Sequence, residues 1–369
     1  MKVLTIFGTR PEAIKLAPVV KALAQHPHIT SRVCVTAQHR LMLDQVLELF
    51  ALRPDYDLNV MQPNQSLAQL SANALIKLDE VLQIENPDWV IVQGDTTTAM
   101  IAALAAFYQQ TKVAHVEAGL RTWDKLHPFP EEVNRRLVSV TADLHCAPTE
   151  PARANLLREG IAAESIVVTG NTVIDALLDV AQRQDNGAYD WASGELAAVP
   201  RDKRLVLVTA HRRENFGAPL QAICAALAEL AARYADVQFV YPVHLNPNVQ
   251  SVVYESLQHI SNFSLLPPVE YLPLVQLLKQ CVLVLTDSGG LQEEAPSLGK
   301  PVLVLREVTE RPEGVAAGTV KLVGTDRSVI VAETSRLLDD PAEYERMSRA
   351  VNPYGDGHAS ERIVKALFS

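Results

Sequence analysis

Short runs of β-branched and other apolar residues alternate along the chain with longer segments whose apolar positions recur at helical spacing. That pattern yields a parallel sheet covered on both faces by crossover helices. In the first half it predicts strands at Val3–Phe7, Arg32–Thr36, Trp89–Gln93, Lys112–Val116, Leu144–Ala147 and Ile166–Thr169. In the second half the predicted strands are Leu205–Thr209, Val237–Tyr241, Cys281–Thr286 and Pro301–Leu305. Between the two sets, Asp185–Pro200 carries Gly and Asp but no strong periodicity, so the pattern stops and starts again. The expected organisation is two Rossmann-like α/β domains, residues 1–170 and 171–350, and at 351–369 a C-terminal amphipathic helix with the option of packing back on the first. Pro18 falls inside the helical segment after Pro11; lacking a backbone donor, it is expected to kink or shorten that helix.

Length agrees with two domains. A chain of 369 residues exceeds one ordinary core, because cores stop growing near about 250–300 residues. Hydrophobic residues at 48% and charged residues at 21% are the profile of a packed globular protein. The 43 acidic residues outnumber the 33 basic ones, giving a net charge of −10, which argues against an extended nucleic-acid or anionic-membrane surface. The opening MKVLTIFGTRPE has too short an apolar run for a secretory leader. No uninterrupted apolar stretch of about eighteen residues follows, so a cytoplasmic location is expected. Cys34, Cys146, Cys224 and Cys281 sit singly in apolar segments, without zinc-like spacing, and read as buried thiols. His26 and His28 lie in a Pro-containing turn without carboxylates nearby, so no metal site is expected.

The chemistry lies where the strands end. Apolar runs give way to GTRPE, AQHR, GDTTT and EAGLR in the first half, and to AHRREN, VHLNP and DSGG in the second. Ligands in open α/β sheets bind outside the carboxyl ends of the strands, so two domains facing a central cleft would gather Arg10, Lys15, Asp95, Glu117, Glu131, His211 and Ser288 around one ligand. In DSGGLQEE, Ser288 is placed to cap a helix, and Gly289 and Gly290 let backbone amides approach a diphosphate at its positive end. Glu294, about one turn in, is placed to accept from a ribose diol. The same segment also reads as a well-capped helix with acids suiting its dipole. In HRREN, an imidazole and two guanidiniums crowd one loop; three cations without an anion would repel, which favours a phosphate ligand over a solvated loop.

Asp95, Glu117 and Glu131 form a group of acids at or soon after strand ends. Several carboxylates in one site can hold different protonation states, as removing one proton and delivering another requires. Singly, each also reads as a solvated or salt-bridged acid, and Glu132 has Arg135 and Arg136 within helical reach. No dinucleotide fingerprint follows a strand: GDGHAS at 355–360 is preceded by NPY. A bound nicotinamide is not expected, nor any other cofactor.

FGTRPEAIKLAPV, TAQHRLMLDQV, GDTTT, HVEAGLRT, FPEEVNRR, TGNTVIDAL, TAHRRENFG, DSGGLQEEAPSLGKPVL, TERPEGVAAGT and NPYGDGHASERI occur in order from residue 2 to the C-terminus. Together they resemble the bacterial non-hydrolysing UDP-N-acetylglucosamine 2-epimerases. The resemblance implies the two-domain glycosyltransferase-B fold and an isomerase that interconverts UDP-N-acetylglucosamine and UDP-N-acetylmannosamine through elimination and re-addition of UDP, supplying bacterial surface polysaccharide synthesis. It implies nucleotide contacts from Arg10, His211, Ser288, Gly289, Gly290, Glu294 and Arg311, with Val269 and Leu274 bordering the base. Lys15, Asp95, Glu117 and Glu131 match positions at the sugar end, where Asp95, Glu117, Glu131 and His211 are the expected catalytic groups. Gln38, Arg212 and His244 match a region where a second UDP-N-acetylglucosamine acts as activator, although Leu41 stands where some relatives carry a polar residue. A homodimer is implied as well. The alternative is a UDP-sugar-dependent glycosyltransferase of the same fold, which would share the nucleotide residues but require an acceptor.

Overall fold

Strands with apolar side chains on both faces must be covered on both sides, and that requirement shapes each half of this chain. The computed structural model describes residues 1–36, 40–61, 65–185, 190–191 and 194–368. It contains two units, Met1–Ala176 with Tyr354–Ser369, and Leu177–Pro353.

In the first unit the strands are β1 (Lys2–Phe7), β2 (Thr30–Val35), β3 (Tyr56–Asp57), β4 (Trp89–Gln93), β5 (Lys112–Val116), β6 (Leu144–Ala147) and β7 (Ile166–Val168). They form one parallel sheet in the order β3-β2-β1-β4-β5-β6-β7. The helices between them are α1 (Arg10–Gln25), α2 (Arg40–Leu49), α3 (Leu67–Glu85), α4 (Thr97–Tyr108), α5 (Glu131–Thr141) and α6 (Glu150–Arg158); α7 (Thr172–Asp185) follows β7 and continues past Ala176 into the second unit. Leu4, Ile6, Val90, Val92 and Val113 are fully buried and pack with Leu78, Ala102 and Ala106 of the covering helices.

In the second unit β8 (Arg204–Thr209), β9 (Val237–Pro242), β10 (Phe263–Leu266), β11 (Cys281–Thr286), β12 (Val302–Val304) and β13 (Val320–Leu322) pair in the order β10-β9-β8-β11-β12-β13, again all parallel. The helices are α8 (Ala218–Arg233), α9 (Pro247–Leu257), α10 (Tyr271–Gln280), α11 (Gly289–Ser297), α12 (Pro312–Ala317), α13 (Arg327–Asp339) and α14 (Pro341–Ser348). The last helix, α15 (Ala359–Ala366), belongs to the first unit and packs on α1.

Each sheet is wound outward in both directions from its first strand, so each has a point where the connections diverge: between β1 and β4, and between β8 and β11. The loops after those strands are where a doubly wound sheet holds its ligand. All ten strands expected from the sequence are present, with bounds shifted by at most about two residues. Three were not expected: β3, β10 and β13, of two, four and three residues. Pro18 does not shorten its helix, because α1 runs unbroken from Arg10 to Gln25. The helix is held by a capping box at Thr9 and Glu12 and by a buried face of Ile14, Leu16, Ala17, Val19, Val20 and Leu23, which outweighs the missing donor. The four cysteines are buried and free, and burial pushes each thiol up to about 12. No helix among the described residues is long and apolar enough to cross a membrane.

Candidate active site

At the divergence point of the first sheet, two loops are tied together by one acid. Glu12 is buried; its Oε2 accepts from the amides of Gly8 (3.1 Å) and Thr9 (2.8 Å), and its Oε1 from the Thr96 hydroxyl (2.7 Å). Thr96 in turn caps α4, accepting from Ala99 N at 3.0 Å. Burial raises the Glu12 pKa above the usual carboxylate range against the pull of these three donors and of the Thr9 side chain. Gly8 is required here, since a Cβ built on it would fall 2.1 Å from Thr36 Oγ1 and 2.7 Å from Thr98 Oγ1. The outcome is a fixed GTRPE loop that sets the half-buried Arg10 at the first position of α1.

One turn further along α1, Lys15 reaches Glu117 at the end of β5, with Nζ 2.6 and 2.7 Å from the two carboxylate oxygens. Glu117 is buried and holds φ at +63°, a left-handed conformation that costs a non-glycine residue energy and recurs at functional sites. Gln93 Nε2 donates to Glu117 Oε2, and Asn171 Nδ2 to Oε1 at 3.2 Å. Asp95 follows Gly94 in the next loop. Its carboxylate pairs with Arg135, and its carbonyl accepts from Asn134 Nδ2 at 2.9 Å, so α5 holds Asp95 while contributing Glu131 as its own first residue. Glu132 accepts from the amides of Thr122 and Trp123 at 3.1 Å each and lies 3.3 Å from Arg135.

The second unit repeats this arrangement with different chemistry. Asp287, fully buried after β11, accepts through Oδ2 from the amides of His211 (2.7 Å) and Arg212 (2.8 Å) and from Asn215 Nδ2 (3.1 Å). Its Oδ1 lies 3.4 Å from His211 Nδ1. The cationic loop therefore already has an internal carboxylate, which corrects the expectation that its three cations lack an anion. Burial lowers the His211 pKa; Asp287 acts against that shift, and the charges of His244 and Arg212 reinforce it. The His244 ring stacks on His211 with centroids 5.3 Å apart.

Beyond Asp287, Ser288 occupies the N-cap position of α11, but its side chain makes no capping bond, contrary to expectation. Its amide instead donates to Thr286 Oγ1 at 2.9 Å. A Cβ built at Gly289 would lie 3.7 Å from both Arg212 Nη2 and Arg311 Cζ, so two guanidiniums flank the positive end of this helix. Arg311 is anchored to Glu293. Glu294 is buried; its Oε1 accepts from Tyr271 O–H at 2.8 Å, and its Oε2 lies beside Gly290. Half-buried Val269 and Leu274 flank Tyr271 at the start of α10. Buried Arg306 donates to Glu214 in the HRREN loop and to Glu310 beside Arg311. Burial works upward on Glu310, but Arg306 brings it down to about 2.

The structure thus joins Lys15 with Glu117, and His211 and Arg212 with Ser288, Gly289 and Arg311. It ties Arg212 and His244, expected in an activator region, directly to Gly289 and His211; Gln38 lies outside the described residues, as does the side chain of Leu41. Sequence reasoning missed Gln93, Asn171 and Tyr271, the pairing of Glu293 with Arg311 and the role of Asp287. Gln93 and Asp287 had a readable signal, as polar residues ending or directly following apolar strands. No group of three or more histidines, cysteines and acids placed to hold a metal ion occurs among the described residues.

Comparison with known proteins adds the chemistry of the relatives. The family model described as UDP-N-acetylglucosamine 2-epimerase matches residues 21–368. A UDP-N-acetylglucosamine 2-epimerase of Escherichia coli strain K12 is 58% identical over 371 residues, covering 100% of this chain and 98% of the relative. Among solved structures, the UDP-GlcNAc 2-epimerase from Neisseria meningitidis bound to UDP-GlcNAc is 51% identical, with a TM-score of 0.92 and 100% of both chains covered. A co-structure with UDP from S. aureus is 50% identical, with a TM-score of 0.87, covering 99% of this chain and 95% of that one.

Proposed function

This chain belongs to the UDP-N-acetylglucosamine 2-epimerase family, and we propose that it inverts carbon 2 of UDP-N-acetylglucosamine by eliminating UDP to a glycal and adding it back. It is an isomerase, and the question its residues bear on is how the inversion is done. The hydrogen on carbon 2 is not next to a carbonyl, so removing it alone would leave an unstabilised carbanion. If UDP departs from carbon 1 as that proton is taken, the charge spreads over a diphosphate instead. Returning a proton to the opposite face and re-adding UDP completes the inversion to UDP-N-acetylmannosamine.

The observation that carries this reading is Glu117, a buried acid held in a left-handed backbone conformation 2.6 Å from Lys15. A carboxylate fixed at such cost is suited to proton transfer at a non-acidic carbon. Asp95 and Glu131 complete the set of acids, so that one group takes the proton and another returns it. Arg10, His211, Arg311 and the Ser288–Gly290 amides hold the diphosphate and stabilise the leaving charge. Glu294 takes the ribose, with Val269 and Leu274 bordering the base. The scheme assigns no step to a metal or nicotinamide.

Three further parts belong to the same reading. Arg212 and His244 take part in binding a second UDP-N-acetylglucosamine that activates the enzyme, a role the resemblance extends to Gln38. The protein works as a cytoplasmic homodimer, consistent with Val133, Leu137 and Val140 exposed on one face of α5. Its product feeds surface polysaccharide synthesis. The test of the elimination step uses substrate with oxygen-18 between carbon 1 and the β-phosphorus. During turnover the label is expected to spread into the non-bridging β-oxygens, read by phosphorus NMR; label retained in the bridge after many turnovers would overturn the scheme.

A further inference from the structure

We infer that Asp287 is a positioning residue that fixes the tautomer of His211, keeping a proton on Nδ1 and leaving Nε2 as the nitrogen that takes up a proton to donate to the bound diphosphate. The inference rests on the reading that His211 meets that ligand. Asp287 does two separable things with its two oxygens. Oδ2 organises the loop by accepting three hydrogen bonds, from His211 N, Arg212 N and Asn215 Nδ2. Asn215 Nδ2 also donates to Leu305 O at 3.1 Å, so the loop is fastened to the end of β12 as well.

Oδ1 takes part in none of this. It is buried and has no hydrogen-bond partner, and His211 Nδ1 lies 3.4 Å from it. A buried acceptor without a donor is unfavourable, and a small rotation of the His211 ring would satisfy it. A carboxylate oxygen only accepts, so satisfying it requires hydrogen on Nδ1, and the neutral ring then bears its lone pair on Nε2. The other groups facing the ring are the Arg212 guanidinium and the stacked His244. Both oppose a positive charge on His211, whereas Asp287 favours it. A ring that is neutral when empty, with Nε2 free, can take up a proton as the diphosphate arrives and release it as UDP leaves.

The test starts with wild-type protein labelled with nitrogen-15 histidine, the His211 signals being assigned by their absence from a His211→Asn variant. The Nδ1–H tautomer is expected without ligand; an Nε2–H tautomer would overturn the inference without any variant of Asp287 having to fold. Asp287→Asn keeps a carbonyl oxygen for the three loop donors but turns an N–H toward His211 Nδ1. The ring should then switch to Nε2–H, and turnover should fall by about 10²-fold or more. In a His211→Asn background the same substitution should cost little further. If Asp287→Asn costs as much there as in wild type, Asp287 acts through the loop alone and the inference fails. A His211→Asn variant with unchanged UDP affinity and turnover would instead remove His211 from the ligand site, while the wild-type tautomer would still report on Asp287.

Discussion

His115 gives the site an acid sensitivity whose size follows from its surroundings. The ring lies in β5, fully buried, with Nε2 2.8 Å from the carbonyl of Gly94, the residue before Asp95. Because a carbonyl only accepts, Nε2 carries the hydrogen and Nδ1 the lone pair, and Nδ1 has no partner. Burial pushes the pKa from 6.5 to about 3, with His145 and Arg121 adding to the shift and the Gly94 bond and Glu117 opposing it. Above pH 6.5 folded and unfolded chains both hold the ring neutral. Below it the unfolded chain binds a proton that the folded chain refuses, so stability is present above that pH and is lost as the pH falls toward 3. Between about pH 7 and pH 5 the loss from this one group is roughly 2 kcal/mol. Glu12, raised by burial, works in the opposite sense and is common to wild type and variant, so it cancels in their difference. The perturbation is His115→Gln, which keeps a donor for Gly94 but does not titrate. Urea titrations read by hydrogen exchange of the β4 and β5 peptides follow the first unit alone. Over that interval the variant should lose roughly 2 kcal/mol less stability than wild type; parallel losses would refute the reasoning.

Three further expectations concern binding, packing and assembly. Arg10→Ala should weaken UDP binding about tenfold or more, since hydrogen bonds to charged groups are worth roughly 1.5–3 kcal/mol; unchanged affinity by calorimetry would take Arg10 out of the site. Gly8→Ala should destabilise the first unit by about 1–3 kcal/mol through overpacking against Thr36 and Thr98, and a variant with wild-type urea stability would show that the loop has room. Light scattering should give about twice the 40.4 kDa of one chain, with a charge placed at Leu137 shifting the mass toward one chain; a single-chain mass for wild type would contradict the dimer.

What the sequence disclosed, and what it did not, divides along physical lines. Long apolar strands such as Trp89–Gln93 and Cys281–Thr286 were legible because burial on both faces leaves no polar alternation. Tyr56–Asp57 was not, because a two-residue edge pairing leaves almost no composition signal. Pro18 misled because a local penalty was weighed without the buried face that opposes it. The candidate ligand groups were legible as polar residues interrupting apolar strands. Their partners were not: Asn171 lies 54 residues from Glu117, and Tyr271 lies 23 from Glu294, so only the fold brings them together. Asp287 stands in the sequence only as the first residue of DSGG after an apolar strand, whereas its buried position makes it the anion of the cationic loop.

The central claim is that carbon 2 exchanges its proton with acids of the protein as UDP leaves and returns, and turnover in heavy water followed by proton NMR tests it most directly. Starting from UDP-N-acetylglucosamine alone, without an acceptor, deuterium is expected at carbon 2 of both epimers at equilibrium. Glu117→Gln should slow its appearance by about 10²-fold or more. Epimers that form at the wild-type rate while both retain the original carbon-2 hydrogen would contradict the account.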